Sequence, residues 1–208
     1  MTSIIYLIRH GLTEGLQKHW FYGWTDLPVV KEGFEEIEKY KKEGVYPKLP
    51  EDTDFYTSGM LRPKQTLEAI YGNVDFKIIE ELKEINFGDW ECKPMDGLKD
   101  DKEWHRWMAD ETGEFTFPGG GESAIIFGER VKKGLKVLQN NHRMKELSHR
   151  HSGKDAVSVC VMHGGPISVI MGLWFPGTVD YFFQWNPDPG RGYAIYFEDG
   201  NPVKYEEI

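Results

Sequence analysis

The chain has 208 residues, a length that favours one domain with room for an elaboration. Its 39% hydrophobic and 28% charged residues are those of a folded chain, not a disordered one. A formal net charge of −9 argues against nucleic acid as a main partner, although a local basic pocket could still take an anion. Two cysteines, Cys92 and Cys160, are too few for a disulfide framework or a zinc knuckle, so a reducing cytoplasm is expected. The apolar stretch at Ile4–Ile8 is too short for a signal peptide, and no run approaches the ~20 residues of a membrane span.

Taken in chain order, Ser3–Ile8 is a continuous apolar, β-branched run and predicts a buried parallel strand. KEGFEEIEKYKKEG spaces Phe34, Ile37 and Tyr40 about a turn apart, predicting a surface helix that stops at Gly44. Asp54–Thr57 predicts a short strand. GMLRPKQTLEAIYG predicts a helix with Pro63 in its first turn, where no amide is needed. Phe76–Ile79 predicts another short strand. Residues 85–121 are rich in glycine and irregular, with a helix expected around Asp100–Glu111; a loop of that length suggests a lid. ESAIIFGERVKKGLKVLQ predicts a long amphipathic helix, and His149–Lys154 a surface loop. Ala156–Met162 predicts a central strand and GGPISVIMGLW a helix after it. Tyr193–Glu198 and Pro202–Glu206 flank Asp199-Gly200, a hairpin turn. The alternation predicts an α/β fold in three layers, a mostly parallel open sheet between helices, as one domain over 1–208 with an inserted lid at about 85–121.

Two of these strands end alike. LIRHGLTEG carries the first into Arg9-His10-Gly11, and the Ala156–Met162 strand runs into His163-Gly164-Gly165. Open α/β sheets bind ligands beyond the carboxyl ends of their strands, and glycine there lets backbone approach a ligand. A single histidine in such a place reads more simply as a hydrogen-bonded structural residue. Two in matched contexts, one beside an arginine, favour a shared crevice. His142, His149 and His151 in NHRMKELSHRH could ligate a metal but fit a solvated helix end better. FPGGGES lacks the Gly-Lys-Ser/Thr of a P-loop and is expected to open the following helix. Cys160 is expected to be an inert core residue.

LIRHGLTEG resembles the signature of the histidine phosphatase superfamily, the phosphoglycerate mutase-like proteins. TSGMLRPKQTLEAI resembles the family's Ser-x-Leu-x-Arg-Ala-x-x-Thr segment, with Arg62 in the arginine slot. ELKEINFGDWECK resembles Glu-x-x-Phe-Gly-x-Trp-Glu, with Glu84 in the acid slot. FPGGGES with the Arg130 that follows, and VMHGGPI with His163, resemble two further segments. The motifs keep the family's order and cover most of the chain.

The resemblance implies a reaction. His10 would attack phosphorus and become a phosphohistidine, since a neutral imidazole has a lone pair and neighbouring cations disfavour its protonation. Arg9 and Arg62 would grip phosphate oxygens, and a protonated His163 would add a donor. Glu84 would protonate the leaving alkoxide and then deprotonate water. No cofactor or metal is implied. Further substrate contacts are assigned to Thr13, Tyr22, Gly23 and Gly164; Thr13 also reads as a turn or loop-orienting residue, and Tyr22-Gly23 as packing.

The chain departs from the family where an asparagine and, four residues on, an arginine are common: here stand Leu16 and Trp20, with Tyr22 for a frequent glutamine. One phosphate donor is lost and the mouth becomes aromatic, which favours a substrate with an apolar or aromatic body. INFGDWECK, YGWTDLP and PGGGES resemble the phosphatase branch that includes α-ribazole phosphatase. The expected function is therefore hydrolysis of a small phosphomonoester, such as α-ribazole phosphate or another metabolite with an apolar or aromatic body. A phosphoglycerate-type mutase and a catalytically weak phosphoester-binding protein are the alternatives. The expected partner is the small molecule alone, with neither nucleic acid nor membrane; the oligomeric state is left open.

Overall fold

The computed structural model describes residues 2–179 and 182–208. Strand β1 spans Ser3–Arg9 and is followed by the short helix α1 (Glu14–Gln17), strand β2 (Trp20–Phe21) and helix α2 (Lys31–Lys42). Then come β3 (Asp54–Thr57), α3 (Leu61–Tyr71), β4 (Lys77–Ile78), β5 (Lys93–Pro94) and α4 (Lys102–Met108). The chain closes with α5 (Ala124–His149), β6 (Ala156–Met162), α6 (Gly164–Trp174), β7 (Gly192–Glu198) and β8 (Asn201–Glu207). The six-stranded sheet has the order β4-β3-β6-β1-β7-β8. β4, β3, β6 and β1 are parallel, and the hairpin β7–β8 adds an antiparallel edge. The hairpin turns at Asp199 and Gly200, both with positive φ (49° and 81°), the backbone that a two-residue turn between twisted strands requires.

Both faces of β1 are covered, which is why it reads as an unbroken apolar run. Ile5 and Leu7 pack with Val131, Leu135 and Leu138 of α5 and Ile167 of α6. Ile4, Tyr6 and Ile8 pack on the other face with Ile37 of α2 and Leu67 and Ile70 of α3. This is the expected three-layer α/β arrangement. Since β1 and β6 are neighbours and their following helices α2 and α6 lie on opposite faces, a crevice opens at their carboxyl ends.

Residues 85–121 carry a small core of their own. Phe21, Trp90, Leu98 and Phe117 are buried together, with Trp104, Trp107 and Phe115 packed around them, and β2 pairs with β5. The helix expected at Asp100–Glu111 is shorter, Lys102–Met108, capped by the Asp101 side chain.

The largest departure from the sequence reading is α5, which runs ten residues past Gln139. His142 is not solvated: it is buried, and a chain of hydrogen bonds satisfies it. Ser3 Oγ donates to Glu146 Oε1 (2.5 Å) and accepts a hydrogen bond from His142 Nε2 (2.8 Å), while the Ser158 hydroxyl reaches Nδ1 (2.9 Å). Arg143 pairs with the other Glu146 oxygen at 2.9 Å. Nor do the three histidines of this region form a metal cluster among the described residues.

This network has a titration consequence. Burial, aided by Lys145 and opposed by Glu146 and Asp54, pushes His142 down from 6.5 to about 4. The unfolded chain therefore takes up this proton first as pH falls, and stability drops between about 6.5 and about 4. The loss is on the order of 3 kcal/mol. Urea unfolding across that range should show it, and His142→Gln should flatten the slope; an unchanged slope would mean that His142 does not carry it.

Candidate active site

The register of the sheet builds the site. Arg9 pairs with Met162 across β1 and β6, so His10 and His163 leave the sheet side by side. Thr57 pairs with Val161, which brings Ser58 to the same end. The two imidazoles lie with ring centroids 5.2 Å apart.

His10 is 3% exposed. Its Nδ1 lies 2.8 Å from the Gly11 carbonyl oxygen, and a carbonyl can only accept, so Nδ1 carries the proton and Nε2 keeps its lone pair. Burial, then Arg62 and Arg9, hold this imidazole well below 6.5, against the opposing bond to Gly11. The result is a neutral ring with one nucleophilic nitrogen.

Arg62 is fully buried on the first turn of α3. Its Nη1 donates to Thr25 O (3.0 Å) and its Nη2 to Gly23 O (2.7 Å), and Asp26 lies 3.7 Å away. Arg9 Nη1 donates to Pro187 O (2.7 Å). Burial lowers the pKa of both guanidinium groups; Tyr22 and Glu84 are the leading opposing influences. His163 is also buried, and its Nε2 is 2.8 Å from Ser58 Oγ. Three buried nitrogens of these residues have no partner among the described residues: Arg9 Nε, Arg62 Nε and His163 Nδ1. Donors are seldom left so inside a protein, and a cluster of them beside a neutral imidazole is suited to an anion.

His163 differs from expectation in charge. Burial, then Arg62, His10 and Arg9, push it well below 6.5, so the free site holds it neutral. Its Nε2 shares a hydrogen bond with the Ser58 hydroxyl, which can donate or accept; when the hydroxyl donates, the proton is on Nδ1 and the ring is a donor without being a cation.

Glu84 faces this group from the loop before residue 85. Its carboxylate accepts from Ile85 N (2.9 Å) and from Gly165 N (3.0 Å) at the start of α6. A Cβ on Gly165 would lie 2.1 Å from Glu84 Oε1, so only glycine lets the carboxylate sit on the helix. The Glu84 carbonyl is held in turn by Trp24 Nε1 and Arg130 Nη2, both at 3.0 Å. Arg130 is itself fixed by Glu122 through two 2.7 Å bonds and by the carbonyls of Glu81 and Lys83.

These residues sit at one end of a cavity of about 490 Å³. Arg9, His10, Tyr22, Arg62 and Glu84 line it; His163 is not among the lining residues but packs against His10, ring centroids 5.2 Å apart. Thr13, Gly23 and Gly164 are not among the lining residues, and each supports a neighbour of the site. The Thr13 hydroxyl donates to Tyr22 Oη (2.7 Å) and also caps α1. The Gly23 amide is committed to Glu91, and its Cα lies against the Ile85 carbonyl, where a Cβ would come within 1.6 Å. Gly164 lies against the Asn186 amide, where a Cβ would meet Oδ1 at 2.1 Å.

The positioning role of Glu91 is not apparent from the sequence. Its carboxylate accepts from the amides of Gly23, Trp24, Thr25 and Phe87, all within 3.1 Å. It thereby fixes the loop whose carbonyls orient Arg62. The signal was present in the Trp90-Glu91 end of the quoted motif, but no contact could be read from it. Ser58 and Glu122 were equally mute.

The profile of the histidine phosphatase superfamily (branch 1) matches residues 5–206. The chain belongs to that superfamily. Among curated histidine phosphatase relatives, the sedoheptulose 1,7-bisphosphatase of Saccharomyces cerevisiae is 23% identical over 84% of this chain and 68% of its own length. A 2,3-bisphosphoglycerate-dependent phosphoglycerate mutase of Parvibaculum lavamentivorans is 30% identical over 76% of this chain and 79% of its own. A solved structure from Escherichia coli, described as "a putative alpha-ribazole-5'-P phosphatase", has the same fold. It superposes with a TM-score of 0.78 at 21% identity, covering 98% of this chain and 94% of the other. The superfamily thus includes both hydrolases and mutases among the relatives of this chain.

Proposed function

We propose that the protein hydrolyses small phosphomonoesters through a phosphohistidine on His10 Nε2. The observation that carries this is the pair of buried, unpartnered N–H groups of Arg9 and Arg62, with the unpartnered Nδ1 of His163, beside an imidazole whose Nδ1 is tied to the Gly11 carbonyl. The phosphoryl group would rest on those donors, with the Tyr22 hydroxyl, which accepts from Thr13, free to add its proton. His10 Nε2 forms a bond to phosphorus as the ester oxygen leaves. Glu84, holding a proton when the ester binds, gives it to that oxygen and then, as a carboxylate, takes one from the water that attacks the phosphohistidine; the N–P bond breaks, inorganic phosphate leaves, and both residues are restored. The positive field of the two guanidinium groups offsets the charge on the equatorial oxygens throughout. Metal or cofactor has no part in these steps.

The mutase relative supports a second reading, in which the phosphoryl group returns to a hydroxyl of a bound acid instead of to water. One experiment separates the two. The protein is mixed with a phosphomonoester panel that includes α-ribazole 5′-phosphate and 3-phosphoglycerate, and quenched in alkali, where phosphohistidine survives. The expected result is a labelled His10 and release of inorganic phosphate. Transfer between positions of phosphoglycerate without net release supports the mutase. Binding with neither label nor release leaves a phosphoester-binding protein.

A further inference from the structure

All of the cavity's positive charge lies at one end. Among its described lining residues the arginines are Arg9 and Arg62, both part of the phosphate cradle, and there is no lysine. Arg130, the next arginine, is used up by Glu122 and three backbone carbonyls. Lys18 lies over the Trp20 ring, 4.9 Å from its centroid, but is not among the lining residues and is paired with Glu14.

Away from the cradle the wall is apolar, from Leu16, Trp20, Phe87, Met95, Trp107 and Phe115. Leu16 and Trp20 stand in the two slots where the sequence motif led one to expect asparagine and arginine, and both face the cavity. The formal charge on this outer wall is negative. The Asp110 carboxylate is fixed by Thr112 N (3.0 Å), Thr112 Oγ1 (2.6 Å) and Phe115 N (2.8 Å). Those bonds hold it below the usual carboxylate range, so it stays ionised.

We propose that this site selects monoesters with one phosphate and no second anion, carried on an aromatic or branched apolar body. The inference rests on the hydrolase reading above and narrows it. A second phosphate or a carboxylate would have to lose water against apolar walls without a cation to pair with, and would face Asp110. An aromatic body gains burial and ring contacts from the same walls. The selectivity runs against doubly anionic esters such as those in the names of the two curated relatives.

The test holds leaving-group chemistry nearly constant by using alkyl esters: 2-phenylethyl phosphate, glycerol 3-phosphate, 3-phosphoglycerate and fructose 1,6-bisphosphate. Steady-state kcat/KM on the full chain should favour 2-phenylethyl phosphate by about 30-fold or more, the order expected for burying one aromatic ring. Trp20→Arg should narrow the gap to 3-phosphoglycerate and the bisphosphate by about tenfold, and Leu16→Asn should act the same way if the first variant does not fold. Equal or better turnover of the doubly anionic esters by the wild type overturns the proposal, as does an unchanged ratio in folded variants. If no ester is hydrolysed and His10 takes no label, the hydrolase reading fails by itself. The selectivity is then judged by calorimetric binding of the same four esters, where the same order supports it and a preference for the doubly anionic ones overturns it.

Discussion

Replacing His10 by alanine is expected to lower kcat by about 10⁴-fold or more while the protein stays folded. The reason is specific to its geometry. Nδ1 is committed to the Gly11 carbonyl, so the ring offers phosphorus one nitrogen. His163 does not take its place: its Nε2 is engaged by Ser58. His10→Gln, which keeps more of the volume, should be as inactive as His10→Ala, and thermal unfolding should show both folded. The alkaline-quench label should vanish in both. In the wild type the depressed proton affinity of His10 has a visible sign. Loss of activity on acidification requires protonating Nε2, so the limb of kcat/KM that reports His10 lies below pH 6.5 and not at it. A folded His10→Ala protein that still forms the phosphoenzyme would place the nucleophile elsewhere.

The strands and helices that frame this histidine were legible because their physics is local. β6 and α6 have the bounds that their sequences suggest, Ala156–Met162 and Gly164–Trp174. A strand buried on both faces must be apolar throughout, and the histidine-glycine pair marks where it stops. Arg9, His10, Arg62, Glu84 and His163 were found as candidates through motif order, and the fold brings them to one crevice. What stayed hidden depends on contacts distant in sequence. The end of α5 looked polar because His142 and Glu146 are polar, yet Ser3 and Ser158 satisfy them in the interior. Apolar periodicity has no means of registering a buried hydrogen-bond network. Glu91 meets the Gly23–Thr25 loop from more than sixty positions away along the chain. The neutral state of His163 depends on burial among cations, which spacing does not encode. Thr13, Gly23 and Gly164 are not among the residues that line the cavity, and a motif that marks a residue as near a site does not say how it meets that space.

Arg62→Ala is expected to lower kcat/KM by about 10³-fold, and Arg62→Lys to recover little of it. The bond from Nε to the phosphoryl group, the guanidinium charge beside it and the loop that Arg62 holds are at stake together, about 4 kcal/mol in all. Lysine fails because Arg62 does two things with one planar group. Its two terminal nitrogens hold the carbonyls of Gly23 and Thr25, while Nε is left for a ligand. An ammonium has the charge but not the fork, and could satisfy the loop or the phosphate, not both. The same geometry predicts a linkage. In the ligand-free protein a fully buried guanidinium has Asp26 at 3.7 Å as its nearest carboxylate among the described residues, and its proton affinity is depressed by burial. A phosphate bound against Nε supplies the missing negative charge, so inorganic phosphate should raise the melting temperature of the wild type in a concentration-dependent way. In Arg62→Ala that shift should shrink to near zero, even if the unliganded melting temperature changes little. A full phosphate shift in Arg62→Ala would show that the anion sits elsewhere. Glu91→Gln gives the complementary result: it loosens the loop that aims Arg62 while leaving the arginine in place. It should cost part of kcat/KM and keep part of the phosphate-induced shift, because the donor is still there but no longer held.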